Sequence, residues 1–236
     1  MKRLISILLT VFIAAPAFAA DPVDTIRANL LKAGQTVTDI SPSPIKGLYA
    51  VVEPRGILYV DDTGTYVIQG QLYDMQSREN LTRALQISSL PKVDWNSLPF
   101  QDAIKTVKGT GKRQLAVFSD PDCPFCHSLE EKSLKTINDV TIYTFLYPLN
   151  GLHPDATRKA RVIWCAPDHD KAWDDWMHHA TLATDAGTCA TPIERNFALA
   201  KTLKIEGTPG LIFADGSQIP GAVPTDVIEK KLNAVP

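Results

Sequence analysis

Cys123-Pro124-Phe125-Cys126 sets two thiols one helical turn apart, close enough to close a short disulfide. Such a pair does thiol-disulfide exchange when one sulfur is held as thiolate and the other can displace the product. A cysteine in the first turn of a helix meets unpaired N–H groups and a partial positive charge, both of which favour the thiolate. Pro124 suits that turn, because its missing N–H would have found no partner there. Cys123 is therefore expected to attack a substrate disulfide and Cys126, further into the helix, to resolve the mixed disulfide. His127 brings positive charge and Asp120 and Asp122 negative charge, so the sign of the net shift of the Cys123 pKa stays open.

Other chemistries share this spelling. Cys126-His127 completes the C-x-x-C-H pattern of covalent haem attachment, with Met75, Met177, His153, His169, His178 and His179 as candidates for a distal ligand. A strand before the motif and a helix after it fit a redox site better. A zinc site would need a second cysteine pair at ligand spacing, which Cys165 and Cys189 do not supply. An inert Cys123–Cys126 bridge would close too short a loop to add much stability. The expectation is a dithiol that needs no cofactor and no metal.

Cys165 and Cys189 are separated by 23 intervening residues, and a bridge between them would contribute roughly 3 kcal/mol in the chain-entropy model. They read as a structural pair, the alternative being an electron relay to the first. Gly207-Thr208-Pro209 precedes a short apolar run. An X-Pro bond in a tight turn before a strand is a place where cis geometry can be selected, and the Thr208 backbone could pair with an extended substrate segment.

These residues need a scaffold. Gln114 to Ser119 reads as a buried strand feeding directly into the motif, Glu130 to Asn138 as continuing helix, and Val140 to Tyr147 as a second apolar strand. Phe100 to Lys108 has helical spacing. Pro154 to His179 and Glu194 to Leu203 read as helical, Leu211 to Ala214 and Gln218 to Gly221 as a hairpin across Asp215-Gly216, and Thr225 to Leu232 as a closing amphipathic helix. Upstream, Pro22 to Ala33 predicts a short helix stopped by Gly34. Val37 to Ile40, Leu48 to Val52, Ile57 to Val60 and Thr65 to Ile68 predict a small antiparallel sheet with a turn at Asp61 to Gly64. This half has no cysteine or histidine, so binding or assembly is its expected task. Ser77 to Leu90 predicts a linker helix, and the polar stretch from Lys92 to Pro99 a domain boundary.

Lys2 and Arg3, the apolar run Leu4 to Ala15 and Ala17-Phe18-Ala19 form the pattern of a cleavable leader, shorter than the ~20 residues that span a bilayer. Its removal leaves 22 basic against 26 acidic side chains, a net charge of −4, which offers no basic surface to nucleic acid or anionic lipid. Export places the cysteines in an oxidising compartment.

Phe118-Ser119-Asp120-Pro121-Asp122-Cys123-Pro124-Phe125-Cys126, the later cysteine pair and Gly207-Thr208-Pro209 together resemble the periplasmic thiol:disulfide interchange proteins of the DsbC family, thioredoxin-like disulfide isomerases. The resemblance extends over the whole precursor. It implies a leader at 1–19, an α+β N-terminal dimerisation domain at 20–76, a linker helix and linker at 77–99, and at 100–236 an α/β thioredoxin-like catalytic domain with a helical insertion. It implies Cys123 and Cys126 as catalytic thiols, Pro124, Phe125, Thr208 and Pro209 at the substrate face with a cis bond before Pro209, and Cys165–Cys189 as a structural bridge. A periplasmic homodimer follows, acting on misfolded exported proteins and reduced by a membrane thiol reductase of the DsbD type. Pro124-Phe125 departs from the best-known members and leaves the balance between isomerase and dithiol oxidase open. A chaperone-like binding protein with secondary redox activity is the reading from another class. No acid lies in Leu115 to Phe118, where thioredoxins carry one, so the sequence offers no group for the Cys126 proton.

Overall fold

A computed structural model describes residues 21–234, and the expected leader at 1–19 lies outside them. The chain divides into two compact units between Gln86 and Ile87.

The first unit is a four-stranded antiparallel meander, β1 (Asp39–Pro42), β2 (Leu48–Glu53), β3 (Gly56–Asp61) and β4 (Val67–Ile68), in chain order. Helix α1 (Pro22–Lys32) is capped by the Asp21 carboxylate, which accepts from the Val23 N–H. Its Ile26 and Leu30 pack with Ile40, Val51, Leu58 and Val60 of the strands. Gly64 is left-handed and a Cβ there would fall 2.9 Å from the Ile26 Cα, so no side chain fits. Asp61 holds this turn by accepting from the amides of Thr65 and Tyr66, which with the Thr63 hydroxyl keeps its carboxyl at about 2. Tyr66, Val67, Ile68, Tyr73 and Met75 remain exposed beyond it. The linker helix is shorter than its sequence pattern: α2 covers Leu81–Ser88, because residues 72–80 turn back on themselves through a Tyr73–Asn80 bridge, and the division of the chain falls within this helix.

The second unit is a five-stranded sheet in the order β5-β7-β6-β8-β9, formed by β5 (Ile104–Lys108), β6 (Arg113–Ser119), β7 (Val140–Leu146), β8 (Gly210–Phe213) and β9 (Gln218–Pro220). Strands β6 and β7 are parallel, joined over α3 (Pro124–Lys132), and the remaining pairs are antiparallel. The continuous apolar run of β6 matches its central place, buried on both faces. Leu115 and Val117 face α3 and α7 (Thr225–Asn233) through Leu129, Ile228 and Leu232, while Ala116 and Phe118 face α6 (Ile193–Thr202) through Ala200.

Further readings need correction: Glu130 to Asn138 is not continuous helix, since α3 ends at Lys132 and a 3-10 turn follows at Leu134–Thr136. Phe100 to Lys108 is not a helix but a 3-10 turn at Phe100–Asp102 followed by β5, an edge strand paired with β7 from Ile104 to Lys108. The stretch from Pro154 to His179 is two helices, α4 (Ala156–Cys165) and α5 (His169–His179), separated at Ala166-Pro167, with the Asp168 side chain capping the second. They form the insertion, and their Ile163, Trp173 and Met177 cover Cys126.

Candidate active site

Strand β6 ends at Ser119, and the chain crosses Asp120-Pro121-Asp122 into α3 with Cys123 at the N-cap and Pro124 at the first helical position. The Cys123 carbonyl accepts from the amides of Cys126 (2.9 Å) and His127 (3.1 Å), fixing the first turn. Both cysteines are free thiols. Cys123 is 4% exposed and Cys126 fully buried. Pro124 and Phe125 are exposed at the helix start, Phe125 as one of the large apolar side chains that face solvent.

The Thr208-Pro209 bond is cis, and this turn leads into β8, which pairs with β6 from Leu115↔Phe213 to Phe118↔Gly210. That pairing brings the Thr208 carbonyl to 3.5 Å from Cys123 Sγ, where it accepts from the thiol. Pro209 is buried behind it, its carbonyl held by the Gly221 N–H at 2.7 Å. The candidate residues Cys123, Cys126, Thr208 and Pro209 are thus gathered from two elements 85 positions apart.

The sign left open by the sequence resolves downward. The Cys123 pKa falls to about 5, chiefly through a hydrogen bond from the Cys126 thiol, helped by the Thr208 side chain and the amides of Cys126 and Phe125 against the opposing effect of burial. Cys126 moves the other way, driven up by burial and by its bond to Cys123. One thiol is poised to ionise and its neighbour to stay protonated.

The nearby acids do not oppose this because each is already partnered. Asp120, wholly buried, accepts from the Leu149 N–H (2.7 Å) and from His153 Nδ1 (2.8 Å) on one oxygen and from the Asp122 N–H (2.8 Å) on the other. Asp122 pairs with Lys159 of α4 at 2.5 Å, and that ammonium also lies 4.6 Å over the Trp176 ring. Both His127 ring nitrogens are taken up by backbone carbonyls, those of Pro121 (2.8 Å) and Met177 (3.1 Å), so neither is directed toward a haem iron. Trp176 Nε1 donates to the same Pro121 carbonyl at 2.6 Å, tying the motif loop to the insertion.

Cys165 and Cys189 form a disulfide that joins the end of α4 to the loop before α6. Sequence reasoning missed Lys159 and Trp176 and considered His153 only as a haem ligand, whereas it partners Asp120. Their only sequence signal was the pair of acids beside the motif, which called for cations from somewhere. It also missed Glu130, buried one turn beyond Cys126, whose carboxylate accepts from Trp173 Nε1 at 3.1 Å and whose pKa burial raises.

A buried dithiol with opposed pKa shifts, at a strand-to-helix junction facing a cis-proline turn, is an arrangement suited to thiol-disulfide exchange. Residues 100–236 match the family described as thioredoxin-like domain, and residues 15–83 match the disulfide bond isomerase protein N-terminal domain. A probable thiol:disulfide interchange protein DsbC of Bordetella parapertussis is 39% identical over 218 residues, spanning 92% of this chain and 76% of the relative. The chain belongs to the DsbC family. The thiol:disulfide interchange protein DsbC of Escherichia coli K12 is 29% identical over 96% of this chain and 94% of its own. Among solved structures, a disulfide interchange protein from Neisseria gonorrhoeae aligns with a TM-score of 0.55 at 42% identity, covering 58% of this chain and 97% of that one. Like other DsbC-family members, this chain is a thiol-disulfide interchange enzyme. Among the described residues no helix is long and apolar enough to cross a membrane.

Proposed function

We propose that this protein is a periplasmic disulfide isomerase, kept reduced, that acts as a homodimer on misoxidised exported proteins. The observation that carries the reading is the Cys123–Cys126 dithiol at the start of α3 facing the cis Thr208-Pro209 turn, with the Cys123 pKa lowered and that of Cys126 raised. At neutral pH the Cys123 thiolate attacks one sulfur of a substrate disulfide, a Cys123–substrate bond forms, and the other substrate sulfur leaves as a thiolate that takes up a proton. The freed substrate thiol can attack a second disulfide and finally displace Cys123, which rearranges the substrate with no net electron transfer. When rearrangement stalls, Cys126 displaces the substrate, and the resulting Cys123–Cys126 disulfide needs an external dithiol, a membrane reductase of the DsbD type.

Phe125 and Pro124 at the exposed helix start, with Thr208 and Pro209 opposite, form the face that would hold an extended substrate segment. Residues 20–76 are the proposed dimerisation domain. In support, its edge strand β4 carries exposed Val67 and Ile68 beside Tyr66, the kind of unpaired apolar edge that monomers avoid. Dithiol oxidase is the second reading, because the same low Cys123 pKa stabilises the reduced form and makes a disulfide more oxidising.

Three measurements test the assignment: substrate rescue, redox state in cells and oligomeric state. Reduced mature protein should restore activity to a scrambled multi-disulfide substrate, and Cys123→Ser should not. Alkylation trapping in cells should find Cys123 and Cys126 mainly as thiols. A mainly oxidised pair would move the protein to the oxidase reading, and a monomeric mature protein would remove the basis for isomerisation.

A further inference from the structure

The resolving step poses a problem that the Cys123 chemistry leaves unsolved. Cys126 has to act as a nucleophile from a fully buried position, and burial opposes its ionisation. When substrate is bound to Cys123, the Cys123 sulfur no longer carries a charge, yet some group must hold the charge that develops on Cys126.

Ser119, the last residue of β6, is 1% exposed, and its Oγ is one of few buried side-chain oxygens among the described residues with no hydrogen-bond partner. A hydroxyl confined in this way is costly unless an acceptor is at hand in some state of the protein. Although it makes no hydrogen bond to sulfur in the resting site, the Ser119 hydroxyl, with the Asp120 amide, favours ionisation of Cys126. The two donors are consecutive, at the point where β6 leaves the sheet, and Asp120 is fixed there by its bonds to Leu149, His153 and Asp122.

We propose that the Ser119 hydroxyl and the Asp120 amide form an anion hole for the Cys126 sulfur, which makes Ser119 a catalytic residue of the resolving step. This rests on the assignment of Cys123 as attacking thiol. In that step the Cys126–Cys123 bond forms, the Cys123–substrate bond breaks, the electron pair leaves on the substrate sulfur, and the proton lost from Cys126 balances the one that sulfur gains. No oxidant beyond the mixed disulfide is required. Ser119 donates to Cys126 as charge builds and returns to its unpartnered state once the disulfide has closed.

The test compares Ser119→Thr with Ser119→Val, which have the same shape and differ in one hydroxyl. Reduced full-length mature protein is mixed with oxidised glutathione, quenched with acid at intervals, and the glutathione adduct followed by mass spectrometry with peptide mapping. A hydrogen bond to a charged group corresponds to a roughly ten- to hundredfold change in thiolate population. The more basic thiolate recovers about 0.4–0.5 of that on a logarithmic scale as nucleophilicity, which leaves a resolving rate roughly 3- to 15-fold slower. S119V should therefore accumulate the Cys123 adduct, S119T should resolve it within about twofold of the natural protein, and adduct formation should be alike in both. Equal resolving rates in S119T and S119V overturn the proposal. So does an equal slowing of adduct formation and resolution in S119V, which would mean a displaced motif. An adduct that maps to Cys126 overturns the role assignment together with the proposal, whereas a Cys123 adduct with unchanged decay overturns the proposal alone.

Discussion

Replacing Cys126 by alanine removes the largest influence on Cys123, the hydrogen bond from its neighbour's thiol. Hydrogen bonds to charged groups contribute about 1.5–3 kcal/mol, and at 1.36 kcal/mol per tenfold change in ionisation this corresponds to a midpoint about 1–2 pH units higher. Cys123 in the natural protein is half ionised near pH 5. In Cys126→Ala the midpoint is expected between about 6 and 7, so that at pH 5 the thiolate population falls to roughly a tenth or less. Thiolate absorbance at 240 nm reads this directly in reduced protein. Cys126 contributes nothing in the range because burial drives its pKa far up, and Cys165 and Cys189 are bonded. Cys126→Ser, which keeps a donor, should shift the midpoint much less. The reasoning is refuted if C126A titrates within a few tenths of a unit of the natural protein, or if the serine variant moves as far as the alanine one. Either result would leave the helix terminus and Thr208 as the source of the acidity.

Glu130 is buried with its pKa raised by desolvation, so the folded state binds this proton more tightly than the unfolded chain, and stability is lost as pH rises through the carboxylate range. Glu130→Gln keeps an acceptor for Trp173 and should raise the neutral-pH Tm by a few degrees, about 2–4 °C per kcal/mol at this size, with the gain vanishing below the ordinary glutamate pKa. His153 has its pKa raised, first by its hydrogen bond to Asp120. That contribution is complete below the ordinary histidine pKa and lost as pH rises through the folded value. His153→Ala should therefore cost about 2 kcal/mol in urea unfolding at pH 6 and clearly less at pH 9. Replacing Cys165 and Cys189 together by alanine should lower stability by about 3 kcal/mol and leave the rate of glutathione adduct formation at Cys123 unchanged. If the rate fell with it, the bridge would be part of the exchange chemistry.

Local chemistry was the most legible part. The unbroken apolar run of β6 can only be a buried strand or buried helix, and its length together with the proline after Cys123 decided for a strand running into a helix. Residues whose role depends on distant partners were not legible. Phe100, Ile104 and Val107 fall at helical spacing by chance, and only pairing with β7 makes Ile104–Lys108 a strand. Asp120 and Asp122 looked like charges set against a thiolate, because the groups that partner them, the Leu149 amide, His153 and Lys159, come from the loop after β7 and from α4. Ser119 passed as the polar end of an apolar run. Its meaning lies in having no partner, and that is visible only once everything around it is in place.

The Thr208 turn reaches Cys123 only because β8 pairs with β6, 85 positions later in the chain than the motif it serves. Cys123 therefore has two chemical lives. In an unfolded precursor it is an ordinary thiol, mostly protonated at neutral pH and slow to react. Most of its acidity comes from Cys126 and the amides of the first helical turn, and docking of β8 against β6 adds the share that Thr208 supplies. The acidity of this thiol is thus assembled from two places in the chain, and the share that belongs to Thr208 reports that β8 has closed against β6.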